Sequence, residues 1–186
     1  MKKTYEMTIA GLNRALPLCP VSDTVSIAAF ILFGDAQITV ASAEKLLEKA
    51  PEFDILVTAE AKSIPLIHEM ARQSGKDGYI VARKGPKVYM TDPVSVEVNS
   101  ITTAHTQTLS IGAEDANRMN GKRILIVDDV ISTGESLVAM EKLVQKAGGN
   151  IVGKMAVLAE GDAADRKDII FLEKLPLFHP DGSVME

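Results

Sequence analysis

Residues 122–129, KRILIVDD, constrain the fold more than any other part of the chain. Ile124 to Val127 are four consecutive apolar residues, without the polar alternation of a strand that has one wet face. Both faces of such a strand must be covered, which points to a parallel sheet. After the two aspartates and Ser132-Thr133-Gly134, apolar residues recur at helical spacing: Leu137, Met140, Leu143, Val144 and Ala147. Gly148-Gly149 then stops the helix. A buried strand running directly into an amphipathic helix is half of a parallel crossover. The same pattern recurs on both sides. DILVTAE (54–60) reads as a strand, and IPLIHEMARQSG (64–75) as a helix with Ser63 available as cap, Pro65 in its first turn and Gly75 past its end. GYIVAR (78–83) and NIVGKMAVLAE (150–160) are further strands. The expectation is an α/β fold, a parallel sheet flanked by helices, formed by one domain over residues 1–186.

Two regions break the alternation. From Arg83 to about Gly112 there is no helical period and much Thr, Ser, Pro and Val. This predicts a long β-hairpin or mobile loop between core strands, and loops of this length usually serve function. In the N-terminal 50 residues, LPLCPVSD reads as irregular chain and Ser42 to Ala50 as a short helix. Residues 1–35, together with 160–186 and its FLEKLPLFHPDGS stretch, are expected to form a small hood over one end of the sheet.

Composition removes several function classes. A net charge of -5 and a pI near 5.3 provide no basic footprint for nucleic acid. With no tryptophan and few aromatics, a stacking platform for single strands is absent too. The longest apolar runs, SIAAFILF and MAVLA, are too short to cross a bilayer, and MKKTYEMTIA lacks the apolar core of a signal peptide. A lone cysteine, Cys19, has no partner for an internal disulfide. The expected location is therefore the cytoplasm.

The strand end at Asp128-Asp129 carries the chemistry. In open parallel sheets ligands bind beyond the carboxyl ends of the strands. Carboxylates placed there accept hydrogen bonds from sugar hydroxyls or hold a hydrated cation. The turn that follows, Ser132 to Ser136, opens a helix whose unpaired N–H groups and dipole favour an anion. Its hydroxyls add donors, and Gly134 permits close backbone approach. A diol acceptor followed by a phosphate cradle outlines a ribose 5-phosphate. A capping residue alone would need only one of these side chains. The lysine of a P-loop is missing.

The string ILIVDDVISTGES resembles the phosphoribosyl-pyrophosphate (PRPP) motif of the type I phosphoribosyltransferases. The resemblance extends to the adenine phosphoribosyltransferase branch from about Phe33 to Phe178 through FGDAQ, VTAEAKSIPL, VARKGPK and LAEGDAADRKDIIFLEKLPLF. It implies that Asp128 and Asp129 contact the ribose hydroxyls. Ser132, Thr133, Gly134, Glu135 and Ser136 would bind the 5-phosphate. Glu60, Ala61, Lys62 and Ser63 would shape the pyrophosphate loop. Arg83, Lys84 and Lys87 would neutralise departing pyrophosphate. Phe33, Asp35, Val130 and Glu160 would line the base pocket. The loop over about 84–112 would close over the site. The resemblance also implies Mg2+ held mainly by PRPP rather than by protein ligands, a purine as acceptor and a homodimer.

The sequence departs from that pattern at several points. Glu135 replaces a common glycine, Lys62 replaces an arginine and so loses the bidentate fork, and Gly34 stands where adenine enzymes have arginine. Thr103 and Ala104 occupy the register of the loop glutamate-tyrosine pair. These changes leave adenine favoured, with xanthine, hypoxanthine and guanine open, and a PRPP-sensing regulator as the alternative to an enzyme. His105 is a candidate contact in the loop, whereas His68 reads as a packing or surface residue and His179 as a solvated one.

Overall fold

Five parallel strands in the order β10-β9-β8-β4-β5 form the central sheet of the protein, in a computed structural model that describes residues 4–99 and 106–185. They are β4 (Ile55–Ala59), β5 (Ile80–Ala82), β8 (Arg123–Ile131), β9 (Asn150–Glu160) and β10 (Ile170–Leu175). The uninterrupted apolar run in β8 is explained by what covers it. Leu125 and Val127 face α1 (Ala36–Leu47) and α2 (Ile64–Gln73), packing with Ile38, Leu46, Leu66 and Met70. Ile124 and Ile126 face α3 (Ala113–Met119) and α4 (Glu135–Lys146), packing with Met119, Leu137, Met140 and Leu143. Successive side chains point to opposite faces, so a strand buried on both must be apolar throughout. Among the described residues no helix is long and apolar enough to cross a membrane.

The N-terminal segment is more regular than expected. β1 (Thr4–Ile9), β2 (Leu12–Pro20) and β3 (Ser26–Ala28) form an antiparallel meander that takes in most of LPLCPVSD. Its prolines are tolerated because β2 is paired to β1 over one part of its length and to β3 over another. The α1 helix starts well before Ser42, since Asp35 caps it and accepts the Ile38 N–H at 3.0 Å. The C-terminal hood is smaller than expected: residues 170–175 form edge strand β10 of the central sheet, paired parallel to β9. Only the chain beyond it joins the meander. There Ser26 and Phe178 exchange backbone hydrogen bonds at 2.7 and 2.9 Å, and the Phe178 ring lies 5.0 Å from that of Tyr5.

Between β5 and α3 the chain forms the hairpin of β6 (Val94–Asn99) and β7 (Thr106–Ile111). Arg83 and Ser110 exchange backbone hydrogen bonds at 2.8 Å, tying the hairpin base to the end of β5. Lys146 of α4 donates to the Ser95 carbonyl at 2.8 Å. Thr103, Ala104 and His105 lie outside the described residues.

Candidate active site

Three neighbouring strands deliver their carboxyl ends to one place. β4 leads into residues 60–63, β5 into Arg83 and Lys84, and β8 into the aspartates and then α4. Between them lies a cleft of about 450 Å³ bordered by Glu60, Lys62, Ser63, Lys84, Asp128, Asp129, Val130 and Ser136. The turn 132–136 encloses a smaller hollow of about 50 Å³ beside Asp128. Gly134 sits at the N-cap of α4 with φ +81°, a left-handed conformation that glycine adopts without steric cost.

The two aspartates differ in their surroundings. Asp129 is 3% exposed, and its Oδ2 has the Lys62 ammonium 2.9 Å away, close enough to pair but not aligned as a hydrogen bond. Asp128 Oδ1 accepts from the Ser63 hydroxyl at 2.6 Å and from the Asp129 N–H at 2.9 Å. Burial first, and then the neighbouring Asp129 charge, push the Asp128 carboxyl up to about 7. Ser63, expected as a helix cap, makes no side-chain cap bond, because its hydroxyl is turned to the aspartates.

Glu60 organises the cationic side. Its carboxylate accepts Arg83 Nε at 2.6 Å and the Lys84 backbone N–H, with Lys87 Nζ 3.6 Å away. Burial opposes ionisation of Glu60, but the Lys84 N–H and the Arg83 guanidinium outweigh it and hold the carboxyl below its usual value. The Glu60–Ala61 peptide is cis. Arg83 also donates to the Tyr89 hydroxyl and borders an adjacent cavity, whereas Lys84 borders the main cleft.

The base-side residues are scattered. Phe33 is 53% exposed and borders a separate apolar hollow with His68 and Tyr79. Asp35 is committed to capping α1 and to a fork with Arg14, whose Nε lies at 2.6 Å. The α1 start and the meander hold it there, away from the cleft. Glu160 ends β9, where burial raises its carboxyl and Lys62 partly offsets the rise. Thr108 and Leu109 of β7 also border the cleft, as does Val130. Their part became visible only with the hairpin folded back. Arg166, in the chain just after β9, packs against the turn at Gly134. A Cβ on Gly134 would meet its Nη1 at 2.6 Å. Its Nε and Nη2 are held by Asp168 at 3.0 and 2.7 Å. His68 packs edge-on against Tyr79, with centroids 5.8 Å apart.

Residues 35–178 match the phosphoribosyl transferase domain family. An adenine phosphoribosyltransferase of Rhodococcus jostii is 34% identical over 128 residues, 68% of this chain and 69% of that protein. Another, of Renibacterium salmoninarum, is 34% identical over 161 residues, 84% of each. The crystal structure of adenine phosphoribosyltransferase from Thermoanaerobacter pseudethanolicus superposes with a TM-score of 0.65 at 27% identity, covering 77% of this chain and 84% of that one. With the strand-end aspartates, the glycine-bearing turn and the lysine-lined cleft in one frame, the chain belongs to the phosphoribosyl transferase domain family, on its adenine phosphoribosyltransferase-like branch.

Proposed function

We propose that the protein transfers the 5-phosphoribosyl group of PRPP to a purine base, adenine first among them, and releases pyrophosphate. One observation carries this reading: a carboxylate pair, a phosphate-sized turn at a helix N-terminus and the Lys62 and Lys84 ammonium groups border the same pair of adjoining hollows. The named relatives are adenine phosphoribosyltransferases, which supports adenine as the acceptor.

Cleaving the C1–oxygen bond of PRPP leaves positive character on the ribose and negative charge on pyrophosphate. Asp128 and Asp129 accept the ribose 2- and 3-hydroxyls and face the growing positive charge. The backbone N–H groups from Ser132 to Ser136 hold the 5-phosphate. Lys62 and Lys84 neutralise the leaving group, with Arg83 and Lys87 released to it as Glu60 yields. The β6–β7 hairpin closes over the cleft and keeps water from consuming PRPP.

Mg2+ fits this donor set as a hydrated ion carried on PRPP. Two adjacent carboxylates are too few to encage it, but Asp129 Oδ2, which faces Lys62 and accepts no hydrogen bond among the described residues, would suit a water of the ion. The ion's chemistry is to neutralise pyrophosphate oxygens. A homodimer and a cytoplasmic location complete the reading.

The test is pyrophosphate release from PRPP and magnesium, with adenine, guanine, hypoxanthine, xanthine, uracil and orotate supplied singly. Turnover with adenine is expected. Tight PRPP binding with no turnover on any base would overturn the enzymatic assignment.

A further inference from the structure

Ser63 occupies the N-cap of α2, a position where a serine hydroxyl commonly accepts an N–H of the first helical turn. Here it caps nothing, although the residue is only 1% exposed. Its hydroxyl lies 2.6 Å from Asp128 Oδ1 and 3.1 Å from Asp129 Oδ1, and it accepts the Asp129 backbone N–H at 2.9 Å. A hydroxyl has one proton to give, and the shorter contact assigns it to Asp128. Its one proton and one of its two acceptor lone pairs are thus spent on the β8 strand end. No proton is left to offer pyrophosphate.

We propose that Ser63 is a positioning residue for the ribose-binding aspartates, joining the pyrophosphate loop to the end of β8 and holding the Asp128 carboxylate in its diol-accepting orientation. This rests on the phosphoribosyl-transfer reading and deepens it, since the motif by itself places Ser63 among the pyrophosphate contacts. The loop that carries Lys62 toward the leaving group also carries Ser63 toward the sugar.

Among the described residues, few charged groups face the pair. Glu60 and Lys62 approach from the loop, Lys84 from the hairpin base and Glu135 from the start of α4. Glu160 approaches from β9, beside Lys62. Among the described residues, Ser63 and the Asp129 N–H are the donors to Asp128 Oδ1. The Ser63 bond favours the ionised form and opposes the effect of burial. Removing it leaves a desolvated carboxylate short of one donor, a loss of the size seen for hydrogen bonds to charged groups, about ten- to a hundredfold.

The experiment compares wild type with Ser63→Ala, Ser63→Cys and Ser63→Thr. Steady-state kinetics would be run across pH, with pyrophosphate as product inhibitor. Infrared titration of the ligand-free protein, with Asp128→Asn as reference, would follow the Asp128 carboxyl. In Ser63→Ala we expect KM for PRPP to rise about ten- to a hundredfold, with KM for the base and inhibition by pyrophosphate within about twofold. The acidic limb of kcat/KM and the carboxyl titration should both move to higher pH. Ser63→Thr, which keeps the hydroxyl, should restore most of the loss. Ser63→Cys keeps the volume with a weaker donor and supplies the same comparison if the alanine variant folds poorly. Weakened pyrophosphate inhibition with an unmoved acidic limb would make Ser63 a pyrophosphate ligand and overturn the proposal. If wild type turns over no base, the parent reading fails by itself. The infrared shift then decides the role of Ser63, and an unmoved titration in both alanine and cysteine variants overturns it.

Discussion

Glu60 Oε2 accepts Arg83 Nε at 2.6 Å and so ties the loop after β4 to the end of β5. The same carboxylate takes the Lys84 N–H. One side chain therefore sets the base of the hairpin against the loop after β4. Glu60→Ala should lower kcat/KM for PRPP about tenfold through misplaced Arg83 and Lys84. Its melting temperature should fall only slightly, because Arg83 stays partly in water. Kinetics beside a thermal melt would check both, and unchanged kinetics would refute the anchoring role.

Asp129 is buried with Lys62 as its counter-charge. Asp129→Asn keeps the shape but turns an acceptor into a donor facing an ammonium group. PRPP turnover should fall by at least about a hundredfold. The fold should survive, since Lys62 is more than half exposed and can be hydrated. Pyrophosphate release and circular dichroism test this, and normal turnover would sink the ribose assignment.

Asp128 gives stability a pH dependence of unusual sign. An aspartate titrates near 3.9 in an unfolded chain, whereas burial and Asp129 push Asp128 up to about 7 in the folded protein. Between those values the folded state holds more protons than the unfolded one. The group's contribution is thus complete below about 4 and is lost as pH rises through about 7. Glu69, held at about 2 first by its Arg72 hydrogen bond, acts oppositely: its contribution is present above the unfolded value and lost as pH falls toward 2. The two windows meet only near pH 4. Urea melts at about pH 5 and about pH 7.5 should show wild type less stable at the higher pH, and Asp128→Asn should abolish the difference.

Gly134 combines φ +81° with a neighbour that leaves no room for a Cβ. Arg166 cannot swing aside cheaply, since Asp168 grips both Nε and Nη2. Gly134→Ala should cost about 1–2 kcal/mol for the left-handed conformation alone and raise KM for PRPP at least about tenfold by displacing the phosphate turn. Adding Arg166→Ala should recover part of the stability, measured by denaturant melts of the single and double variants. No recovery would mean that the contact is not the obstacle.

Phe178 is fully buried, packs at a tilt against the Tyr5 ring and bonds Ser26 through its backbone, so the C-terminal chain fastens the meander. Phe178→Ala should destabilise the protein by about 3–5 kcal/mol. Equilibrium unfolding would measure this, and a loss below about 1 kcal/mol would show that the meander is held without it.

The sequence by itself determined strands β4, β5, β8 and β9, helices α2 and α4, and the glycine-bearing turn between β8 and α4. Each of these is local: Ile124 to Val127 must be covered on both faces, and Leu137 to Ala147 repeat with the period of one helix. The strand-end aspartates were legible for the same reason, because chemistry and position sit within one short string. What tertiary structure decided involves partners distant in the chain. Residues 170–175 became an edge strand because β9 offered a free side, and LPLCP became strand because β1 and β3 bordered it. Asp35 was drawn to Arg14 and the start of α1. Ser63, readable locally as a cap, was recruited across 65 residues by Asp128, since a buried carboxylate gains more from a hydroxyl donor than the first turn of α2, where Pro65 brings no N–H, gains from a cap.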